Sequence, residues 1–165
     1  MTFALANQLL VSNYRLPAEL PDKSRDFCKG LLSFLPEERI FTDKLKCLAY
    51  GTDASFYRMV PKVVAKVAEE SEVSSLLRLA YQLEIPVTFR AAGTSLSGQA
   101  ITDSVLVLLA GNWTGARVES NGERIALEPG VIGSRANDIL KPFGRKNWPR
   151  SGLQQFRNDW WDCSE

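Results

Sequence analysis

The first half of the chain contains one segment with a helical period and one without. Apolar residues recur at helical spacing from Asp22 to Leu35, which predicts a surface helix. Asp22 or Ser24 would cap its start and Pro36 would end it. Residues 39–58 show no clean period, so we expect an irregular connector that wraps the domain.

A strand, a helix and a second strand are predicted next. The short β-branched run at residues 63–67 is typical of a strand. Apolar residues from Val73 to Leu83 fit one helix face, with Ser71 as the expected N-cap. A second strand covers Val87 to Arg90. Such a βαβ unit should have parallel strands and a right-handed crossover.

The remaining apolar runs predict a central strand, a hairpin and a short helix. Residues 104–109 are apolar enough for a central strand. Strands at 117–119 and 124–128 flank the dipeptide Asn121-Gly122, a strong hairpin signal. A short helix is expected at residues 134–141. The fold class is therefore α+β, with a small parallel lobe leading into a hairpin-rich second lobe.

Composition and charge exclude several functional classes. The 165 residues suit one soluble domain, and a net charge of +1 provides no basic surface for nucleic acid. The chain has no histidine, the commonest general base, and its three cysteines lack metal-site spacing. No run approaches the roughly 18 apolar residues of a membrane span. We expect a cytoplasmic protein without a metal site, whose catalysis depends on a cofactor.

One loop has the composition of an anion-binding site. Between Ala92 and Gln99, small and hydroxyl residues follow the strand that ends at Arg90, a candidate charge partner. Gly93 and Gly98 tolerate positive φ, so main-chain N–H groups can approach an anion closely. The loop has neither the Walker nor the Rossmann glycine pattern. Its residues alone fit either a phosphate cradle or an ordinary tight turn.

Two sequence blocks carry a family resemblance. They are Tyr50-Gly51-Thr52-Asp53-Ala54-Ser55-Phe56-Tyr57, followed by Pro61, and Ile85-Pro86-Val87-Thr88-Phe89-Arg90-Ala91-Ala92-Gly93-Thr94-Ser95-Leu96-Ser97-Gly98-Gln99. Both resemble FAD-linked oxidases with the vanillyl-alcohol-oxidase or PCMH type of flavin domain. The similarity runs from about Arg39 to Lys146 and is strongest to FAD-dependent D-lactate and glycolate dehydrogenases, including forms with a fused iron–sulfur domain. It implies an incomplete PCMH-type domain with FAD between two lobes.

The resemblance places cofactor contacts in two segments. The first wraps the FAD pyrophosphate in that family and consists of Arg90, Ala91, Ala92, Gly93, Thr94, Ser95, Leu96, Ser97, Gly98 and Gln99. The second holds Pro129 and Gly130, near the flavin, although a plain turn explains these two residues equally well. For Asp53 and Tyr57, capping and packing are favoured over a cofactor contact.

The implied activity is oxidation of a 2-hydroxyacid of the D-lactate or glycolate type. In that family the substrate gives its C2 hydrogen to the flavin as hydride, and the electrons leave to a quinone, a cytochrome or an iron–sulfur centre. Substrate-binding residues belong to a later domain of the family, so we expect no catalytic residue in this chain. Intact relatives would be cytoplasmic, or peripheral to the inner face of the membrane. A sugar-nucleotide reductase is a weaker alternative, because residues 39–57 resemble the lactate-type branch.

Residues 147–165 depart from the family pattern. They hold three of the 4 tryptophans without any helical or strand period. The family continues here with Gly-Pro-Asp-Pro-Ala-Ser and, later, Gly-Gly. Reading each codon one base late from Asn147 forces a glycine after every tryptophan and permits that motif. We expect a frameshifted tail rather than an aromatic binding patch.

The expected organisation has three parts. Residues 1–57 form a helical arm and connector, residues 58–146 a partial FAD-binding domain, and residues 147–165 the non-native tail. An incomplete domain should expose apolar sheet surface, fold weakly and be inactive by itself. Two alternatives are an inactive remnant of a disrupted flavoenzyme gene and a non-catalytic module that joins a separately encoded flavin subunit.

Overall fold

The computed structural model describes residues 16–109, 111 and 113–147. Its helices are α1 (Asp22–Leu31), α2 (Lys44–Ala49), α3 (Glu70–Gln82) and α4 (Gly133–Leu140). Its strands are β1 (Ile40–Phe41), β2 (Val63–Lys66), β3 (Val87–Arg90), β4 (Val105–Leu108), β5 (Ala116–Glu119) and β6 (Arg124–Leu127). Apart from Asn147, the expected frameshifted tail lies outside the described residues.

Four strands form one sheet in the order β1-β2-β4-β3. Strand β4 is parallel to both of its neighbours, with Val105 opposite Val63 on one side and Val87 on the other. Strand β1 pairs antiparallel with the outer side of β2. The predicted parallel βαβ unit and the central position of β4 are confirmed. Strands β2 and β3 are not adjacent, because β4 lies between them.

Both faces of this sheet are covered, and successive side chains of its strands point alternately to one face and the other. On one face Val107 and its neighbours pack against α1 and α3, where Phe27 and Leu76 are fully buried. On the other face Leu106 packs with Cys47 of α2. Because both faces are covered, all four residues of β4 are buried, as its apolar sequence predicts.

A second, smaller sheet follows the first. Strands β5 and β6 pair antiparallel, and Asn121 at their turn has a φ of 55°, so the predicted hairpin is confirmed. Trp113, just before β5, links the two sheets. Its indole Nε1 donates to the Val67 carbonyl at 3.0 Å, and its ring packs against the core of the larger sheet. The α+β architecture is thus the one expected.

The first helix is shorter than predicted and begins differently. It ends at Leu31, because the chain then turns and returns Leu35 to the core, where it is buried. Pro21 occupies the N-cap position and no side chain caps the helix. The expected capping by Asp22 or Ser24 is therefore wrong: both lie inside the helix.

Residues 39–58 are only partly irregular. This segment contains β1 and α2, and the carboxylate of Asp43 caps α2 by accepting from the amides of Leu45 and Lys46. The expectation of a connector without regular structure is wrong. A strand of 2 residues and a helix of 6 are too short to show a period in the sequence.

The predicted cap of α3 is also wrong. Glu69, not Ser71, occupies the N-cap position, and the helix starts at Glu70. The buried carboxylate of Glu72 accepts from the Ala68 amide at 2.7 Å and forms an ion pair with Arg39. Glu72, the third residue of the helix, therefore satisfies a backbone donor just before the helix start.

Across the described ranges, no helix is long and apolar enough to cross a membrane. Within those ranges there is also no group of three or more metal-ligating side chains.

Candidate anion-binding site

The carboxyl ends of the three parallel strands meet at one edge of the larger sheet. Strand β2 ends at Lys66, β3 at Arg90 and β4 at Leu108. Residues 91–99, here called the edge loop, leave the sheet after β3 and lie largely at the surface. Ligands of parallel sheets bind at this edge, where the connecting loops can enclose them. The predicted anion site is therefore in a position suited to binding.

The edge loop leaves most of its backbone amides unpaired. Among the described residues, nothing accepts a hydrogen bond from the amides of residues 92–96 or of Gly98. All of these residues are exposed or half-exposed. Unpaired amides in a loop of small residues are the donors that bind phosphate groups. The alternative of a turn closed on its own backbone is not what the structure contains.

Two glycines and one serine shape the loop. Gly93 and Gly98 have left-handed backbones, with φ of +70° and +74°, as their predicted role requires. Between them the hydroxyl oxygen of Ser95 accepts from the amides of Ser97 and Gln99 at 3.2 and 3.1 Å. The loop therefore turns around a serine side chain and keeps its remaining amides free.

The Arg90 side chain turns toward residues 50–57, which precede β2 and are called the connector from here on. Its Nη1 donates to the carbonyls of Tyr50 and Thr52 at 3.1 and 2.8 Å. Burial lowers the pKa of Arg90, while the nearby Asp53 carboxylate opposes that shift, so the guanidinium stays charged. The guanidinium lies against Gly93, where a Cβ atom would come within 2.5 Å of Nε. Direct contact between Arg90 and an anion stays a prediction.

Asp53 joins the connector to the end of the edge loop. One carboxylate oxygen accepts from the Ser55 amide at 2.8 Å and the other from the Ala100 amide at 3.3 Å. Burial disfavours the ionised form, but these hydrogen bonds and the charge of Arg90 outweigh it and hold the pKa of Asp53 below its ordinary value. The expected capping role of Asp53 is confirmed.

Tyr57 packs against the loop, as expected for a packing residue. Its ring lies 3.0 Å from the position that a Cβ atom on Gly98 would occupy. More than half of the Tyr57 side chain stays exposed, at 62%. A larger residue at position 98 would push this ring away from the loop.

The second predicted segment is a closed turn. Residues 128–131, here called the Pro129–Gly130 turn, are joined by a bond of 3.0 Å from the Val131 amide to the Glu128 carbonyl. A Cβ atom on Gly130 would lie 2.3 Å from the carbonyl oxygen of Trp113. Because Trp113 is bonded to the residue after β2, this turn also lies near the carboxyl edge of the sheet. The close approach of the Trp113 carbonyl explains why position 130 is a glycine, without any contact to a cofactor.

Sequence reasoning missed how many contacts the connector makes with the edge loop. Besides the bonds of Arg90 and Asp53, the Ala54 amide donates to the Gly93 carbonyl at 3.1 Å. The signal was present, since residues 50–57 and the loop are the two blocks that carry the resemblance. It indicated a shared family but not a contact between the blocks.

Comparison with known proteins decides the family. A family model described as an FAD binding domain matches residues 61–155 of this chain. The chain belongs to this family. The FAD-binding family match includes the edge loop and the Pro129–Gly130 turn, and FAD is the cofactor of the domain.

Two curated relatives are themselves hydroxyacid enzymes by name. D-2-hydroxyglutarate dehydrogenase of Escherichia coli K12 is 32% identical over 102 residues, which are 59% of this chain and 10% of that protein. Glycolate oxidase subunit GlcD of the same strain is 31% identical over 132 residues, covering 78% of this chain and 26% of GlcD. The chain thus spans about a tenth to a quarter of the length of these relatives.

Solved structures agree on the fold. p-Cresol methylhydroxylase with bound substrate matches with a TM-score of 0.61 at 13% identity, over 78% of this chain and 27% of that one. The 4-ethylphenol oxidase of Gulosibacter chungangensis matches with a TM-score of 0.62 at 16% identity, over 79% and 27%. The domain is therefore of the expected PCMH type.

Proposed function

We propose that the edge loop binds the diphosphate of FAD. The observation that carries this proposal is the set of unpaired amides at residues 92–96 and Gly98. The hydroxyls of Thr94 and Ser97 add donors, and residues 91–99 contain no acidic side chain that would repel the diphosphate. The residues present therefore fit the cofactor that the family uses.

The Pro129–Gly130 turn is proposed to lie beside the flavin end of the same cofactor. The turn lies near the end of β2, and the edge loop follows β3. Both are therefore at the same edge of the sheet, with β4 between them. Two strand spacings correspond to about 10 Å. A dinucleotide is long enough to reach from one segment to the other.

The protein that carries this domain is proposed to oxidise a 2-hydroxyacid. Both relatives named above act on substrates of that class by their names. When bound, FAD supplies the redox chemistry by accepting the C2 hydrogen of the substrate as hydride. The residues of this chain hold and orient the cofactor. Electrons would then pass to a quinone, a cytochrome or an iron–sulfur centre.

A fluorescence titration tests cofactor binding. We expect the flavin emission of FAD to change on binding, and ADP-ribose, which has the diphosphate but no flavin, to displace it. Riboflavin, which has no phosphate, should not compete. Competition by riboflavin as effective as that by ADP-ribose would contradict a diphosphate site.

A pair of glycine variants locates the binding site. Gly93→Ala strains a left-handed residue and meets the Arg90 guanidinium, so we expect the Kd for FAD to rise about tenfold. Gly144→Ala is the matched control, because Gly144 has a φ of +66° but no atom within 4 Å of its Cβ position. Equal affinities for the two variants would contradict the proposed location.

The substrate class is tested on the whole protein that carries this domain, by mixing its flavin-loaded form with candidate substrates without oxygen. D-2-hydroxyglutarate, D-lactate or glycolate should bleach the absorbance of the oxidised flavin. Matching acids without the 2-hydroxyl group should leave it unchanged. Bleaching by a phenol and by none of the hydroxyacids would overturn the proposed reaction.

A further inference from the structure

The edge loop contributes little to its own shape. Among the described residues, its internal hydrogen bonds all involve the Ser95 side chain, which spans residues 95–99. Residues 91–94 have no internal bond of this kind. A loop with unpaired amides and two left-handed glycines has many accessible conformations, of which few direct the amides to one point. Something outside the loop must select among them.

The connector at residues 50–57 holds the loop along its length. At the loop's start the Arg90 guanidinium donates to the Tyr50 and Thr52 carbonyls. In its middle the Gly93 carbonyl accepts from the Ala54 amide. At its end the Ala100 amide donates to Asp53. These bonds bridge sequence separations of about 40 residues, so they are tertiary contacts and not local turns.

Asp53 has a special place among these contacts because its two oxygens serve two segments. One oxygen closes the turn of the connector at Ser55, and the other holds Ala100, a buried residue immediately after the loop. The same carboxylate lies near the Arg90 charge, which is fixed at the opposite end of the loop. A single side chain thus couples the connector's own turn to both ends of the loop.

We propose that residues 50–57 form a clamp that sets the shape of the edge loop, and that Asp53 is the positioning residue of this clamp. This inference rests on the proposed function of the loop in binding the FAD diphosphate. Asp53 does not touch the cofactor in this account. It acts by keeping the loop amides directed at one point before the cofactor arrives, which reduces the entropy lost on binding.

Two substitutions of Asp53 separate the parts of its role. Asp53→Ala removes both acceptors. Asp53→Asn keeps one acceptor oxygen and the size of the side chain, so it should retain one of the two bonds. Asp103→Asn is the matched control, because Asp103 is exposed, lies in the same region of sequence and makes no hydrogen bond or ion pair with the described residues.

The readout of loop shape does not depend on flavin. Thermolysin cleaves before large apolar residues, and Leu96 is 68% exposed at the centre of the loop. We expect cleavage before Leu96 to be about tenfold faster in Asp53→Ala and about threefold faster in Asp53→Asn, and unchanged in Asp103→Asn. The Kd for FAD should rise in the same order. The thermal midpoint of Asp53→Asn should fall only slightly, while its Kd for FAD, measured well below that midpoint, still rises, which a purely structural role would not allow.

The outcomes separate this inference from the proposed function. Wild-type cleavage rates and FAD affinities in both Asp53 variants would overturn the clamp, while FAD binding by the wild type would still support the diphosphate site. If the wild type binds no FAD but the cleavage rates follow the expected order, the clamp stands and the proposed function is wrong. If Asp53→Ala fails to fold, Asp53→Asn decides.

Discussion

The edge loop and the Pro129–Gly130 turn lie at the same edge of one sheet and both contain glycine, yet their backbones differ. In the edge loop the amides of residues 92–96 have no partner among the described residues, and its glycines have left-handed backbones. In the Pro129–Gly130 turn a backbone bond closes the chain, and Gly130 is packed against the Trp113 carbonyl. One segment therefore keeps backbone donors available for a ligand, and the other uses its backbone in packing.

The largest effect is expected for a substitution in the packed turn. Gly130→Val would place side-chain atoms against the Trp113 backbone, which cannot move without breaking the Trp113–Val67 bond. We expect the free energy of unfolding to fall by about 3 kcal/mol. Urea denaturation measures this change. A variant as stable as the wild type would remove the contrast between the two segments.

A smaller effect on binding is expected inside the edge loop. Ser95→Ala deletes the acceptor of the Ser97 and Gln99 amides, so the second half of the loop should lose its turn. We expect the Kd for FAD to rise about fivefold, with little change in the free energy of unfolding. Isothermal titration calorimetry and urea denaturation check both quantities.

A serine outside the loop supplies the control for this variant. Ser75→Ala on α3 removes a hydroxyl that makes no hydrogen bond with the described residues. Its FAD affinity should equal that of the wild type. A Ser95→Ala variant that lost stability but not affinity would reverse the roles assigned to the two segments.

Acid should affect stability through both Glu72 and Asp53, and FAD binding through Asp53. Burial raises the pKa of Glu72, but the bonds from Arg39 and the Ala68 amide outweigh it, so the net pKa lies below the ordinary 4.5. The pKa of Asp53 is likewise lowered from 3.8. A depressed carboxyl pKa stabilises the fold above the unfolded-state pKa, and this stabilisation is lost as pH falls through the folded-state pKa.

Substitutions separate the two carboxylates. Between about pH 5 and pH 3 the wild type should lose both stability and FAD affinity. Glu72→Gln and Asp53→Asn should each flatten part of the pH dependence of stability, but only Asp53→Asn should also flatten that of affinity. Thermal melts and titrations across this range provide the measurement. An affinity that falls as steeply with acid in Asp53→Asn as in the wild type would show that Asp53 does not control binding.

The smallest effect is expected at the tip of the loop. Leu96 is 68% exposed, and its side chain belongs to neither core cluster. Leu96→Ala should change the free energy of unfolding by less than about 0.5 kcal/mol. A larger loss in urea denaturation would mean that the loop is part of the core.

Most of the larger sheet could be predicted from the sequence, because β2 and β4 are apolar or β-branched runs and α3 is long enough to show a helical period. The Val-Leu-Val-Leu run of β4 predicted burial on both faces, which the structure contains. Strand β1 and helix α2 were missed because each is too short for a pattern. The N-caps of α1 and α3 were misassigned because Pro21 and Glu69 occupy these positions, and neither forms a capping hydrogen bond with its side chain.

The candidate site was only partly predictable. Glycines and hydroxyl residues indicated an anion loop, because backbone freedom and hydroxyl donors can both be read from the type of a single residue. The contacts from residues 50–57 could not be derived, because they depend on two segments about 40 residues apart meeting in space. The frameshift hypothesis for residues 147–165 stays a prediction. The gene sequence tests it, since the shifted frame must encode Gly-Pro-Asp-Pro.

We propose that the free amides of the edge loop hold a diphosphate. An amide-resolved NMR titration with ADP-ribose observes these amides directly. We expect the amide signals of residues 92–96 and Gly98 to shift most, and those of the closed Pro129–Gly130 turn to shift little. Saturable binding of ADP-ribose that leaves the edge-loop amides unshifted would contradict it.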